Sequence, residues 1–255
     1  MQLDKLNSSI LKEIKAIVKN LGGYLTAIKI DESLKSSIDI TVIPTCVDFD
    51  IFKPFDIEIR KNIREELGIN INDTVILYSG SLGGNYSIDI IIKLYKASKK
   101  LNKNTKILFL SHTDYSYVAS EISKYEVPMD DVRIKSCNYF DVHRYLMAGD
   151  IGVINYKHSF STIGRSPTKM GEYWACGLPV LCEKDTGDVD YLISKYNNSG
   201  YLINTNHNES YNEALSKIFS DQDQKKQLRG YAIDYFDLLK GVEMYKAVYD
   251  KVLHN

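Results

Sequence analysis

Arg165, Lys169 and Glu172 are the residues of this chain whose types and spacing suggest chemistry. They lie in the stretch Arg165-Ser166-Pro167-Thr168-Lys169-Met170-Gly171-Glu172-Tyr173-Trp174-Ala175-Cys176-Gly177-Leu178-Pro179-Val180-Leu181-Cys182, which reads as helix, turn and buried strand. Ser166 suits an N-cap and Pro167 the first helical position, while Gly177 fits the residue just past the helix end and Pro179 blocks its continuation. The apolar run from Leu178 to Cys182 predicts a strand covered on both faces. Two cations at the positive end of a helix dipole oppose the usual charge preference. A phosphate there reverses the sign, because it accepts the free backbone N–H bonds and pairs with both Arg165 and Lys169. Positions 165, 169, 172 and 176 share one face at i, i+3 and i+4 spacing, which places Glu172 one turn further along. A carboxylate at that point can accept hydrogen bonds from sugar hydroxyls. The same spacing also fits a solvated Lys169/Glu172 pair, and the residues alone leave both readings open.

The elements around this stretch follow from periodicity. Residues 3 to 21 predict an amphipathic helix with Leu3, Leu6, Ile10, Ile14, Ile17 and Leu21 on one stripe, ended by Gly22-Gly23. Its lysines also permit a peripheral position on an anionic membrane. A strand at 24 to 28, a helix at 31 to 36 and a strand at 40 to 43 follow, the last stopped by Pro44. The segment from Val42 to Pro54 suits an ordered crossing between domains. Beyond it the pattern alternates: helix 55 to 67, strand 74 to 79, helix 87 to 101, strand 106 to 111, helix 115 to 126, strand 131 to 134 and helix 139 to 147. Strand 150 to 154, a long loop, helix 167 to 176, strand 179 to 182, helix 188 to 195 and strand 200 to 203 continue it, and helices at 208 to 220, 222 to 236 and 238 to 253 close the chain. Repeated strand–helix units of this kind predict an α/β fold with a doubly wound parallel sheet.

Ligands of such sheets bind beyond the carboxyl ends of the strands, which gives a second route to the site. The opening stretch falls there, as do Ser79 to Asn85, Ser111-His112-Thr113, Cys137-Asn138-Tyr139 and Asp185 to Asp188. In the loop Gly80-Ser81-Leu82-Gly83-Gly84, the glycines allow close backbone approach to a phosphate, although neither the Walker pattern nor the dinucleotide fingerprint is present. Glycines that merely shape a tight turn fit it equally well. Asn138 and Tyr139 are placed to meet a nucleobase by amide contact or stacking, or else to cap and pack locally. The five histidines show no metal-ligand spacing, and Cys46, Cys137, Cys176 and Cys182 read as reduced residues without a zinc motif.

Composition bounds the rest. The chain has 255 residues, 44% hydrophobic and 25% charged, enough for one large α/β domain and an appendage. A net charge of −1 gives no overall attraction to nucleic acid or an anionic membrane, so phosphate recognition must be local. No apolar run approaches the length of a membrane span and no signal segment is visible, which predicts a cytoplasmic protein with at most peripheral contact at the inner membrane face.

Several segments, in order, resemble the C-terminal, donor-binding half of retaining GT-B glycosyltransferases, especially glycosyltransferase family 4. Val42-Ile43-Pro44-Thr45-Cys46-Val47-Asp48 to Phe52 is similar to the family's interdomain segment, and Arg64-Glu65-Glu66-Leu67-Gly68 with Val75 to Gly80 to the first helix and strand of its second domain. Ser166-Pro167-Thr168-Lys169 to Glu172-Tyr173, with Ala175, Gly177, Pro179 and Val180, resembles its most specific motif, and the likeness covers about residues 40 to 205. The resemblance implies a Rossmann-like domain at 55–236, a linker at 44–54, a remnant of the acceptor domain at 1–43 and a crossing helix at 237–255. It implies a nucleotide-sugar donor, a glycan or lipid-linked acceptor, hexosyl transfer with retention, a setting in polysaccharide biosynthesis, and neither metal nor other cofactor. Glu172 matches the glutamate that holds the ribose, the loop from Gly80 through Ser81, Gly83 and Gly84 matches the diphosphate contacts, and Asn138-Tyr139 lies near the base pocket. No catalytic base is assigned.

The chain also departs from the family. The frequent second glutamate is Gly164 here, and the usual Arg and Lys of the glycine loop are replaced by Ser81 and the Tyr86-Ser87 region. Arg165 and Lys169 are the nearest replacements. Most of the acceptor domain is missing before Pro44, which predicts a truncated chain, or one completed by a second polypeptide or protomer against residues 1–43 and the last helix. A non-catalytic donor-binding subunit and a nucleotide-sugar epimerase of the same architecture remain as alternatives.

Overall fold

Apolar runs four to six residues long, rich in Val, Ile and Leu, supply the strands of the sheet that carries the site. The computed structural model describes residues 16–19, 39–157, 159–204, 207–220 and 224–253. Two short strands, β1 (Ala16–Lys19) and β2 (Asp39–Val42), pair in parallel with Ile17 opposite Ile40. The linker from Pro44 follows, then α1 (Ile57–Glu66), β3 (Thr74–Ser79), α2 (Asp89–Leu101), β4 (Thr105–Leu110), α3 (Tyr115–Ser123) and β5 (Val132–Lys135). A single 3-10 turn leads into α4 (Val142–Leu146), then β6 (Ile151–Ile154), another 3-10 turn at 160–164, α5 (Thr168–Ala175), β7 (Val180–Glu183), α6 (Val189–Lys195) and β8 (Gly200–Ile203). The helices α7 (Asn208–Ser220), α8 (Gln224–Phe236) and α9 (Leu238–Leu253) complete the described chain.

The six strands β3 to β8 form one parallel sheet in the order β5-β4-β3-β6-β7-β8. Direction of winding reverses between β3 and β6, where Ile76 pairs with Ile151 and Leu77 with Gly152, so the crevice at their carboxyl ends is the switch point of a doubly wound fold. Alternation along β3 fills both faces. Val75 and Leu77 join the core beneath α5, with Met170, Tyr173 and Trp174, while Ile76 and Tyr78 join the opposite core with Ile91, Phe109 and Leu181.

Three close fits seat α5. A Cβ on Gly152 would stand 2.4 Å from the Tyr173 ring, so glycine in β6 lets Tyr173 lie flat against the sheet. The Tyr173 hydroxyl then accepts the Ser79 N–H at 2.9 Å. At the other end of the helix, Trp174 donates to the Ser199 carbonyl at 2.8 Å and Arg229 on α8 donates to Ala175 and to Phe52 of the linker.

The structure corrects three expectations. Residues 16–19 are strand, not the end of a helix from 3 to 21, because β-branched Ile17 and Val18 find a parallel partner in β2. The rest of that helix, the strand at 24 to 28 and the helix at 31 to 36 lie outside the described residues. Ser166 does not cap α5. Pro167 is the N-cap residue, and the Ser166 hydroxyl donates instead to buried Asp188 at 2.6 Å, a charge-assisted bond stronger than a cap. The helix expected over 139 to 147 divides into a 3-10 turn and α4.

Candidate functional site

A cleft of about 220 Å³ opens at the switch point. Gly80 and Ser81 from the loop after β3, His112 from the end of β4, Tyr139 from the turn after β5 and Glu172 from α5 line it. Four elements therefore converge, each delivering residues from a strand's carboxyl end or a helix's first turns, as parallel topology requires.

Lys169 stands beside this cleft under the glycine loop. A Cβ on Gly80, whose φ is +124°, would come 2.8 Å from the Lys169 Nζ, so the bare backbone of residue 80 packs against the ammonium. Lys169 donates to the Tyr78 hydroxyl at 3.1 Å and lies 4.4 and 4.5 Å from the ring centres of Tyr78 and Tyr86. Burial pushes the Lys169 ammonium down to about 8, opposed by the Glu172 carboxylate. Burial likewise pushes Glu172 up to about 7, opposed by Lys169. Both groups hold their charge at a cost that an anion and a set of hydroxyls would offset.

Ser81, Gly83 and Gly84 make no backbone N–H bond within the chain among the described residues, whereas Gly80 donates to Leu110 and Leu82 to Thr113 Oγ1. The sequence residues do not all meet. Gly83 faces Tyr117 in a separate small hollow, and a Cβ there would be 2.8 Å from its hydroxyl; Gly84 faces open space. Arg165 precedes α5 in extended conformation, off the helix face expected for it, and its guanidinium stacks 4.3 Å from the Tyr156 ring centre. Its Nε is buried without a partner among the described residues. Asn138 begins the 3-10 turn without a side-chain cap, while Tyr139 is 51% exposed and packs edge-on against Phe52 at 5.6 Å.

Sequence reasoning placed Ser111, His112 and Cys137 at the strand ends but gave them no binding role; all three line the cleft. His112 shares a 2.7 Å hydrogen bond with Ser136 Oγ. The signal for them is position alone, immediately after β4 and β5. Sequence reasoning passed over Tyr78, a strand residue 0% exposed that reads as core. Asp188 is buried beside Ser166 and Tyr235, with one carboxylate oxygen unpartnered among the described residues. Burial pushes it up to about 6, against the Ser166 hydrogen bond. Among the described residues no group of three or more His, Cys, Asp or Glu is arranged for a metal ion, and no helix is long and apolar enough to cross a membrane.

The sequence model of the family described as glycosyl transferases group 1 matches residues 59–235, which span the whole sheet and α5. The chain belongs to this family. No curated protein is significantly similar in sequence. Among solved structures, sucrose-phosphate synthase from Thermosynechococcus elongatus superposes with a TM-score of 0.73 at 15% identity, over 96% of this chain and 60% of the other. A glycosyltransferase from Rickettsia africae gives 0.72 at 20% identity over 98% and 66%, and Anabaena HepE in complex with UDP-glucose gives 0.70 at 14% over 94% and 64%. At such identity these likenesses establish the GT-B type of α/β fold, and the chain spans 60 to 66% of the length of these structures.

Proposed function

We propose that this group 1 glycosyltransferase chain supplies the donor-binding half of an enzyme that transfers a hexosyl group from a nucleotide diphosphate sugar to a glycan or lipid-linked acceptor, in polysaccharide assembly at the cytoplasmic side of the membrane. One observation carries the reading: a single turn of α5 presents an ammonium, Lys169, to the glycine loop and a carboxylate, Glu172, to the cleft at the switch point. The diphosphate lies across the free N–H group of Ser81 and the amino end of α5, paired with Lys169. Glu172 accepts the ribose hydroxyls, and Tyr139 covers the base with Asn138 beside it.

As the bond between sugar and diphosphate breaks, negative charge grows on the leaving oxygen. Lys169 and the Ser81 N–H meet that charge in place, and Arg165 adds a second cation when its guanidinium swings from Tyr156. In this reading the leaving charge is met by side chains and backbone, without a metal, and transfer is expected to persist in excess EDTA. The acceptor side of the cleft comes from outside the described residues. The apolar face of α9 is the surface it meets, since Leu239, Tyr249 and Leu253 are 73, 65 and 76% exposed.

The same exposed face favours a second reading, a donor-binding subunit that turns over only with a partner. Calorimetry with UDP, GDP, ADP and CMP, followed by incubation with the matching nucleotide sugars, tests both. Binding of one diphosphate is expected, and absence of binding to all four contradicts the donor site. Hydrolysis or transfer by the chain alone eliminates the subunit reading.

A further inference from the structure

We infer that Tyr78 is a positioning residue whose buried hydroxyl joins the Lys169 ammonium and the glycine loop into one unit aimed at the donor phosphates. The inference rests on the donor-site reading above and concerns a residue that touches no substrate itself. Tyr78 lies on β3, 0% exposed, in the core opposite α5, yet its hydroxyl reaches the end of the sheet. There it donates to the Ser81 carbonyl at 2.6 Å and accepts from Lys169 at 3.1 Å. A phenol has one proton and two lone pairs, so with its proton committed to Ser81 it offers Lys169 only an acceptor.

The Ser81 bond fixes more than one atom. Ser81 and Leu82 share a peptide unit, whose carbonyl is held by Tyr78 and whose N–H donates to Thr113 Oγ1 at 3.0 Å. The plane of that peptide is thereby set from both sides, which settles the course of the loop on either side of it. Lys169 is held over two rings at 4.4 and 4.5 Å, and its ammonium lies where a side chain on Gly80 would intrude. The second ring belongs to Tyr86, which follows the glycine loop. Here the loop bears no cation at Ser81 or Tyr86, and the charge arrives on a helix instead. A helix-borne cation needs a register with the loop it serves, and the Tyr78 hydroxyl provides it.

The test is a double-mutant cycle on the full chain. The diphosphate among UDP, GDP and ADP that binds most tightly, and its own nucleoside, are titrated into the parent, Tyr78→Phe, Lys169→Ala and the double variant. Tyr78→Phe keeps the ring and the core, and is expected to weaken the diphosphate roughly threefold to tenfold, the size of one hydrogen bond, with the nucleoside unchanged. In the double variant the loss is expected to stay within about twofold of Lys169→Ala alone, since residues acting through one another are not additive. Additive losses, or an equal loss for diphosphate and nucleoside, would show a merely structural tyrosine and overturn the inference. If Lys169→Ala leaves diphosphate binding unchanged, the donor-site reading falls and the inference with it. Should Tyr78→Phe not fold, Thr113→Val releases the same peptide from its other end. It is expected to show the same selective loss, and unchanged diphosphate binding in that variant overturns the inference equally.

Discussion

Lys169 and Glu172 are three residues apart on one short helix, and burial moves both toward neutrality, the lysine down to about 8 and the glutamate up to about 7. The proposed donor site uses the charged form of each. As pH rises through about 8 the free ammonium is lost and diphosphate affinity falls; as pH falls through about 7 the free carboxylate is lost and ribose contacts weaken. Calorimetry from pH 5.5 to 9.5 is therefore expected to show strongest diphosphate binding between those values. Lys169→Ala flattens the alkaline limb and Glu172→Gln the acid limb. Titration of the nucleoside, which carries no phosphate proton, separates Glu172 from the ligand's own ionisation; an acid limb unchanged in Glu172→Gln with nucleoside contradicts the ribose role. These two residues were legible in the sequence because a cation at a helix start and a carboxylate one turn on are local features. Tyr156 beneath Arg165, Tyr78 beneath Lys169 and His112 beside Ser136 were not, because each contact joins residues distant in the chain or on different strands.

At the scale of the element, α5 serves the site only as well as it is seated. Asp185 and Gly187 turn the chain in the left-handed region after β7, and a Cβ on Gly187 would fall 1.6 Å from the Arg165 carbonyl oxygen. Gly187→Ala is expected to displace residues 165–166, lower the melting temperature by several degrees and weaken the diphosphate more than the nucleoside. Unchanged melting in differential scanning calorimetry contradicts this fit. Asp188 ties Ser166 at the head of α5 to Tyr235 on α8. The folded chain keeps the Asp188 proton up to about pH 6, while the unfolded chain releases it near the ordinary aspartate value. Its contribution is therefore fullest below that ordinary value and declines as pH rises to about 6. Asp188→Asn cannot titrate, so relative to the parent it should gain roughly 3 kcal/mol between pH 3.5 and 6.5, each tenfold difference in proton affinity between the folded and unfolded chain being worth about 1.4 kcal/mol. Denaturant melts at the two pH values check this, and parallel curves contradict it. The strands of the six-stranded sheet were legible to within a residue or two because most of them are short, nearly continuous apolar runs. Ser166 was misread because nothing local reveals that a distant carboxylate outcompetes the helix N-terminus for its hydroxyl.

For the whole molecule, the sheet order places the glycine loop, the turn carrying Tyr139 and α5 at one crevice, and right-handed crossovers leave few other arrangements. That is why repeated strand–helix alternation disclosed the fold and the neighbourhood of the site, though not the side-chain partners inside it. The described residues leave one large apolar surface open. Gly241 holds the start of α9 against Cys46, where a Cβ would stand 2.2 Å from the sulfur, yet the outer stripe from Leu239 to Leu253 is exposed. Sedimentation at micromolar concentrations is expected to show self-association of the chain, and Leu239→Glu with Tyr249→Glu to reduce it to a monomer with diphosphate affinity unchanged. A monomeric parent contradicts self-association through that face.

The central claim is that one turn of α5 divides donor recognition between a phosphate-directed cation and a ribose-directed carboxylate. It is tested most directly by the ratio of diphosphate to nucleoside affinity in the parent, Lys169→Ala and Glu172→Gln at pH 7.5. Lys169→Ala should collapse that ratio by about 10- to 100-fold, the size of a charge-assisted bond, while Glu172→Gln should weaken both ligands together and leave the ratio within about twofold. An unchanged ratio in Lys169→Ala, or a nucleoside affinity untouched by Glu172→Gln, would contradict the account.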